Sequence, residues 1–200
     1  MATLFPSEKI LFSKEDADLL YYPAFFSPEK AQMLFEKLYA EIPWQQDTLT
    51  VYGKTHLQPR LTALFGNEGK PYAYSNIVMQ PHPWNTLLMY LKHEVEEVCE
   101  ENFTTVLLNL YRHGNDSNGW HADDEKELGT NPTIASLSFG AARFFHLQHI
   151  TKKEEKLKIL LESGSLLIMK GPTQHYWKHQ VPKTSKLVGP RINLTFRVLK

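Results

Sequence analysis

The chain of 200 residues is poor in cysteine, in long apolar runs and in net charge. Cys99 is its single cysteine, so no intramolecular disulfide can form and a reducing compartment is expected. Nowhere do about 18 apolar residues run together, and residues 1–20 mix Lys9 and Lys14 with several acids. A protein without membrane contact, cytoplasmic or, in a eukaryote, nuclear, is the expectation. The 22 basic residues balance the 22 acidic ones, which by itself argues against a nucleic-acid or membrane partner. The acids are unevenly spread, however. Glu94, Glu96, Glu97, Glu100 and Glu101 crowd one stretch, whereas residues 163–200 contain no acid, against Lys170, Lys178, Lys183, Lys186, Arg191, Arg197 and Lys200. That end of the chain suits either a polyanion or a solvated basic face.

With 42% hydrophobic and 22% charged residues, the chain is long enough for one packed domain. Residues 1–50 read as an irregular lead-in and one helix: Ser27 caps it, Pro28 opens it, and Ala31, Leu34, Phe35 and Leu38 recur at helical spacing up to Pro43. Residues 51–84 are polar and aromatic, and Val51-Tyr52-Gly53-Lys54 predicts a tight hairpin presenting a ring. Asn85 caps a second helix whose buried stripe is Leu88, Leu91, Val95 and Val98. From 103 onward the period changes to two, with strand-like runs at 103–111, 133–139, 142–148, 164–169, 175–181 and 191–199. Residues 152–158 read as a surface loop. The pattern predicts an α+β chain in which a sandwich or jelly roll, residues 103–200, carries helices packed outside.

Chemistry concentrates at Trp120-His121-Ala122-Asp123-Asp124-Glu125. In extended backbone His121 and Asp123 point the same way, so an imidazole and a carboxylate start side by side. A second histidine would complete the arrangement usual for non-haem Fe(II) oxygenases, which leaves three metal positions open. His146, His149, His175 and His179 are candidates, and spacing does not choose among them. In the run 191–197 the odd positions, Arg191, Asn193, Thr195 and Arg197, are polar and the even ones apolar. An ordinary half-buried strand would turn that polar face to solvent. Aimed at a metal site instead, its two guanidiniums would suit a small dicarboxylate, with Asn109 and Tyr111 completing the hydrogen bonds.

These pieces resemble a known family. Val51-Tyr52-Gly53-Lys54, Asn109-Leu110-Tyr111, His121-Ala122-Asp123-Asp124-Glu125, Ser136-Leu137-Ser138-Phe139-Gly140, Gly164-Ser165-Leu166-Leu167, His179-Gln180-Val181-Pro182 and Pro190-Arg191 through Arg197 are similar, in order, to the motifs of the AlkB family of Fe(II)/2-oxoglutarate-dependent dioxygenases, particularly its duplex-DNA repair branch. The resemblance implies a double-stranded β-helix and His121, Asp123 and His179 as the catalytic metal ligands. It implies that Asn109, Tyr111, Arg191, Thr195 and Arg197 hold 2-oxoglutarate, with Asn193 close by, Arg191 taking the far carboxylate and Arg197 the end near the iron. Fe(II), 2-oxoglutarate and O2 would serve oxidative N-demethylation of alkylated nucleobases in DNA, of the 1-methyladenine and 3-methylcytosine type, with formaldehyde released. Residues 51–84 would then be the nucleic-acid recognition region, Tyr52 standing where the branch usually has phenylalanine as its finger. Tyr74 and His121 would sandwich the flipped base, Tyr72, Asp124 and Glu125 would meet its polar edge, and Ser75 a phosphate. Lys54, Arg60, Lys183 and Lys186 are the expected backbone contacts. Alanine at position 122 and Lys183-Thr184-Ser185-Lys186 depart from the branch's denser basic pattern, which implies weaker, more salt-sensitive binding. A monomer is expected. The alternative is a 2-oxoglutarate-dependent enzyme of RNA, protein or small-molecule substrates.

Overall fold

A computed structural model describes residues 9–51, 54–67, 72–74 and 77–200, with backbone alone at 49–51, 54, 72–74 and 77–79. In chain order the elements are β1 (Ile10–Lys14), β2 (Ala17–Tyr22), α1 (Pro28–Glu41), β3 (Thr48–Val51), β4 (Lys54–Leu57), β5 (Leu61–Gly66), β6 (Tyr72–Tyr74), β7 (Ile77–Met79) and α2 (Thr86–Cys99). There follow β8 (Thr105–Tyr111), β9 (Asn118–His121), β10 (Ile134–Gly140), β11 (Arg143–His149), β12 (Lys156–Leu161), β13 (Ser165–Lys170), α3 (Thr173–Tyr176), β14 (Trp177–Val181) and β15 (Arg191–Arg197). A seven-stranded sheet in the order β1-β2-β13-β10-β15-β8-β5 faces a four-stranded one in the order β12-β11-β14-β9. All pairings within the two sheets are antiparallel.

Two apolar layers hold this together. The even residues of β15, Ile192, Leu194 and Phe196, join Leu108 and Leu110 of β8, Leu137 and Phe139 of β10 and Ile168 of β13 on the outer face of the large sheet. Leu34 and Leu38 of α1 and Leu88, Leu91 and Val95 of α2 cover that face. Each such side chain, taken fully out of water, contributes about 1.5–3 kcal/mol. Ser27 Oγ accepts from the Lys30 amide, and Asn85 Oδ1 from that of Leu88, so both helices begin where their caps predict. Cys99 is buried at the end of α2, and burial pushes its thiol up to about 12. The second layer, with Leu107, Leu167, Phe145, Leu147, Ile159 and Trp177, lies between the sheets. Where α1 crosses the β10–β11 turn, Gly140 has φ +82, and a Cβ there would sit 2.5 Å from Pro190 O. Only glycine fits such a turn.

The helices, the jelly roll and most strands lie where expected, and four points are corrected. The lead-in is not irregular: β2 pairs with β13, Tyr21 opposite Leu167, and so joins the large sheet. Residues 152–158 are not all loop, because Lys156–Leu161 pairs with β11, His146 opposite Lys158. His175 lies in α3 rather than in a strand. The barrel also does not begin at 103: β5, inside the stretch expected to recognise nucleic acid, pairs with β8, Leu64 opposite Leu107. Val51 does pair with Lys54 across the expected hairpin; Tyr52 and Gly53 lie outside the described residues.

Candidate metal and cosubstrate site

The site opens between the sheets, and strand pairing assembles it. His121 ends β9 and lies directly opposite His179 of β14. Their ring centroids are 4.3 Å apart, nearly edge to face, and His179 also rests on the Phe145 ring at 5.0 Å. Asp123 lies just past the strand. One ligand atom from each of His121, Asp123 and His179 falls within 4.8 Å of the others. His146, His149 and His175 stand elsewhere: His149 faces Asp16 at 3.3 Å, and His175 Nε2 accepts from the Asn131 amide.

Neighbours set the protonation of this cluster. His121 Nδ1 is 2.8 Å from the Gly119 carbonyl, which holds its proton there and leaves Nε2 the lone pair. Burial would raise the Asp123 carboxyl, but Arg197, whose Nη2 donates to Oδ1 at 2.8 Å, together with His179 and His121, outweighs it and holds the group down to about 2. Burial, then the neighbouring His121, pushes His179 down to about 3. Burial also lowers His121. At neutral pH the cluster is thus two neutral imidazoles and one carboxylate, the donor set a ferrous ion takes.

The polar face of β15 is buried. All seven residues of the strand are buried, and Arg191, Asn193, Thr195 and Arg197 line the same pocket as Asn109, Tyr111 and the three metal-ligand candidates. Arg191 is 1% exposed; its Nη2 donates to Ser138 Oγ at 2.9 Å, while Nε and Nη1 meet no hydrogen-bond partner among the described residues. Its guanidinium carbon lies 5.2 Å from the centre of the Tyr111 ring, and burial brings its pKa down to about 10. An unmatched buried cation is costly unless an anion meets it, and a carboxylate matches the guanidinium fork. The residues present therefore fit both groups: His121, Asp123 and His179 would hold the iron, and Arg191 would hold a carboxylate of 2-oxoglutarate.

Several contributors escaped the sequence reading. Ser136 and Ser138 of β10 hold the working face of β15, Ser136 Oγ accepting from Asn193 Nδ2 at 2.8 Å. Their alternation opposite Thr195 and Asn193 was the available signal. Gln174 Oε1 accepts from the Asp123 amide at 2.9 Å, and Asn118 Nδ2 lies 3.3 Å from His121 Nε2; no local pattern marks either. Among the expected substrate contacts, Lys183, Lys186 and Asp124 are exposed and Glu125 is half-buried. Arg60 is corrected: it is 3% exposed, donating from Nε to Asn109 Oδ1 at 2.7 Å and from Nη1 to the Ser117 carbonyl, so it braces the pocket from within instead of facing a phosphate. Tyr52 and Ser75, and the side chains of Lys54, Tyr72 and Tyr74, lie outside the described residues.

A jelly roll with two histidines and an aspartate at its mouth defines an iron-dependent oxygenase fold, and the family model of the 2OG-Fe(II) oxygenase superfamily matches residues 18–197. The chain belongs to that superfamily, whose cofactors are Fe(II), 2-oxoglutarate and O2, and within it to the AlkB proteins. It is 45% identical over 186 residues to alpha-ketoglutarate-dependent dioxygenase alkB homolog 3 of Bos taurus, covering 88% of this chain and 64% of that protein. It is 36% identical to DNA oxidative demethylase ALKBH2 of Homo sapiens, covering 88% and 71%. The chain thus spans less than two thirds of the length of alkB homolog 3. A solved structure, that of OsALKBH1, superposes with a TM-score of 0.71 at 15% identity, covering 96% of this chain and all of the other, and so shares the fold. Among the described residues no helix is long and apolar enough to cross a membrane.

Proposed function

We propose that this protein removes methyl groups from ring nitrogens of alkylated nucleobases, of the 1-methyladenine and 3-methylcytosine type, in DNA. The observation that carries the oxidative chemistry is the convergence of His121, Asp123 and His179 beside a buried Arg191 that has donors to spare. The nucleic-acid substrate is supported by the likeness to proteins named DNA oxidative demethylase and by the absence of acids from residues 163–200. When bound, ferrous iron with 2-oxoglutarate and O2 supplies oxidation of the methyl C–H bond, leaving succinate and carbon dioxide; the hydroxymethyl product sheds formaldehyde.

The chain's own residues supply position and dryness. Arg197 keeps Asp123 anionic and aimed, Gly119 fixes the His121 tautomer, and Arg191 with Asn109, Tyr111 and Thr195 orients the keto acid. Arg60 fixes the Asn109 amide so that its NH2 group remains for the ligand. The apolar residues Leu107, Phe145, Met169 and Val181 line the same pocket and exclude water from the oxidation. A methylated base reaches the site by leaving its stack, which costs a few kcal/mol and less when methylation has already broken its pairing. Tyr74 and His121 would sandwich it, Tyr72, Asp124 and Glu125 would meet its polar edge, and Tyr52 would fill the gap left behind. The protein works as a monomer in the cytoplasm or, in a eukaryote, the nucleus.

The test is turnover of DNA and RNA oligonucleotides, single-stranded and duplex, carrying 1-methyladenine or 3-methylcytosine, with Fe(II), ascorbate and 2-oxoglutarate, read by product mass. Loss of 14 mass units on the order of one methyl group per lesion is expected. Succinate production that no methylated oligonucleotide stimulates would move the substrate to a protein or small molecule. Tyr52→Ala should impair duplex more than single-strand repair; equal losses would remove the finger role.

A further inference from the structure

The outward face of the four-stranded sheet takes no part in the chemistry above. Along β11 and β12, Phe145, Leu147, Ile159 and Leu161 turn into the core, while Phe144, His146, Lys156, Lys158 and Leu160 turn out. Lys178 of β14 and Trp120 of β9 continue that outer layer. Two large rings are left in water here, Trp120 at 42% and Phe144 at 38% exposure, and each has a lysine over it: Lys178 Nζ lies 5.2 Å from the Trp120 ring centre and Lys158 Nζ 3.9 Å from that of Phe144. Two adjoining grooves of about 460 and 360 Å³ open on this face, share His146 and Lys158, and among the described residues have no aspartate or glutamate in their lining. The first reaches Lys183 and Lys186 beyond β14.

We infer that this face binds single-stranded nucleic acid, namely the strand that flanks the base held in the pocket. The inference rests on the nucleic-acid reading of the site. Surfaces that hold single strands without sequence preference combine lysines along the backbone with exposed rings on which bases stack, and a flexible lysine over a ring can yield the ring to a base and take the phosphate. An acidic peptide would use the charges and leave the rings idle. The face also leads to the right place: Trp120 immediately precedes His121 on the edge strand β9, so a strand leaving the pocket crosses β14 and β11 to β12, three inter-strand gaps or about 14 Å.

The test uses the whole chain and a fluorescein-labelled, unmethylated oligothymidylate of about 12 nucleotides, read by anisotropy across a salt series. The double variant Lys156→Glu/Lys158→Glu, with unchanged melting temperature, should bind about tenfold more weakly and with a flatter salt dependence. Phe144→Ser should weaken binding of oligothymidylate but not of an abasic strand of equal length. Turnover of a methylated trinucleotide, too short to reach β12, should keep its kcat and KM in both variants. Equal affinity of wild type and variants for oligothymidylate overturns the inference, as does competition by polyglutamate as effective as that of an oligonucleotide of equal charge. Anisotropy decides the face whether or not methyl groups are removed, so its failure is separable from failure of the demethylase reading.

Discussion

Replacing Arg191 by methionine tests the site most directly, since it keeps much of the side-chain volume and deletes the charge. Arg191 spends one nitrogen on Ser138, and its Nε and Nη1 are buried without a hydrogen-bond partner among the described residues. Charge-assisted hydrogen bonds contribute about 1.5–3 kcal/mol each, so a fork of two to a carboxylate amounts to about 3–6 kcal/mol. At about 1.4 kcal/mol per decade, Arg191→Met should raise the KM for 2-oxoglutarate by about 10²- to 10⁴-fold. Removing a buried cation whose remaining donors have no partner should leave the ligand-free fold as stable or more so. Two measurements separate these effects: succinate formation against 2-oxoglutarate concentration, and the melting temperature with and without 2-oxoglutarate and Mn(II). The wild type should be stabilised by the keto acid and the variant should not. A variant with a KM within a few-fold of wild type would refute the carboxylate role of Arg191.

Further outcomes follow from the same geometry. Asp123→Ala and His179→Ala should abolish Fe(II) binding measured anaerobically by calorimetry, while Arg197→Met, which loosens Asp123 without removing a ligand, should cost about 10- to 100-fold in metal affinity. Arg60→Met leaves Asn109 Oδ1 and the Ser117 carbonyl without their buried donor, and urea unfolding should show a loss of about 2–4 kcal/mol. Metal-free protein should lose stability steadily as pH falls from 7. The unfolded chain protonates His179 near its ordinary value of about 6.5 while the fold resists down to about 3, and the stability held by Asp123 above about 4 is lost as pH falls through about 2. Denaturation curves showing maximal stability near pH 4 would contradict the His179 shift, and stability unchanged between about pH 4 and pH 2 would contradict that of Asp123. Leu137→Ala, in the layer under α1, should cost about 2–5 kcal/mol by thermal or urea unfolding.

Elements that announce themselves over a few neighbouring residues were readable in advance. Ser27-Pro28 and Asn85 placed two helix starts, because a cap is a bond between a side chain and an amide three residues on. The alternation through β15 likewise separated its two faces. It was mute on what those faces meet: an ordinary half-buried strand would turn its polar side to solvent, whereas here that side is buried. β1 and β2 were missed for a related reason: Ile10-Leu11-Phe12 shows no period of two, and the pair joins the sheet only through β2, whose partner β13 lies far along the chain. Arg60 was expected at a phosphate because it matches a basic position of the family branch; a buried Asn109 and a carbonyl draw it inside.

Taken by itself, the amino-acid order determined the donor types, the pairing of His121 with Asp123, and the alternating arginine strand, since each is a relation between residues a few bonds apart. The family likeness read from its motifs named the third ligand and the cosubstrate set. Tertiary structure alone brought His179 opposite His121 by pairing β14 with β9, turned Arg197 onto Asp123, left Arg191 in the pocket lining with buried donors to spare, and gathered lysines and rings on one outer face. Those are contacts across tens of residues of chain. They exist only after two sheets have closed on each other and burial has decided which charges must find partners.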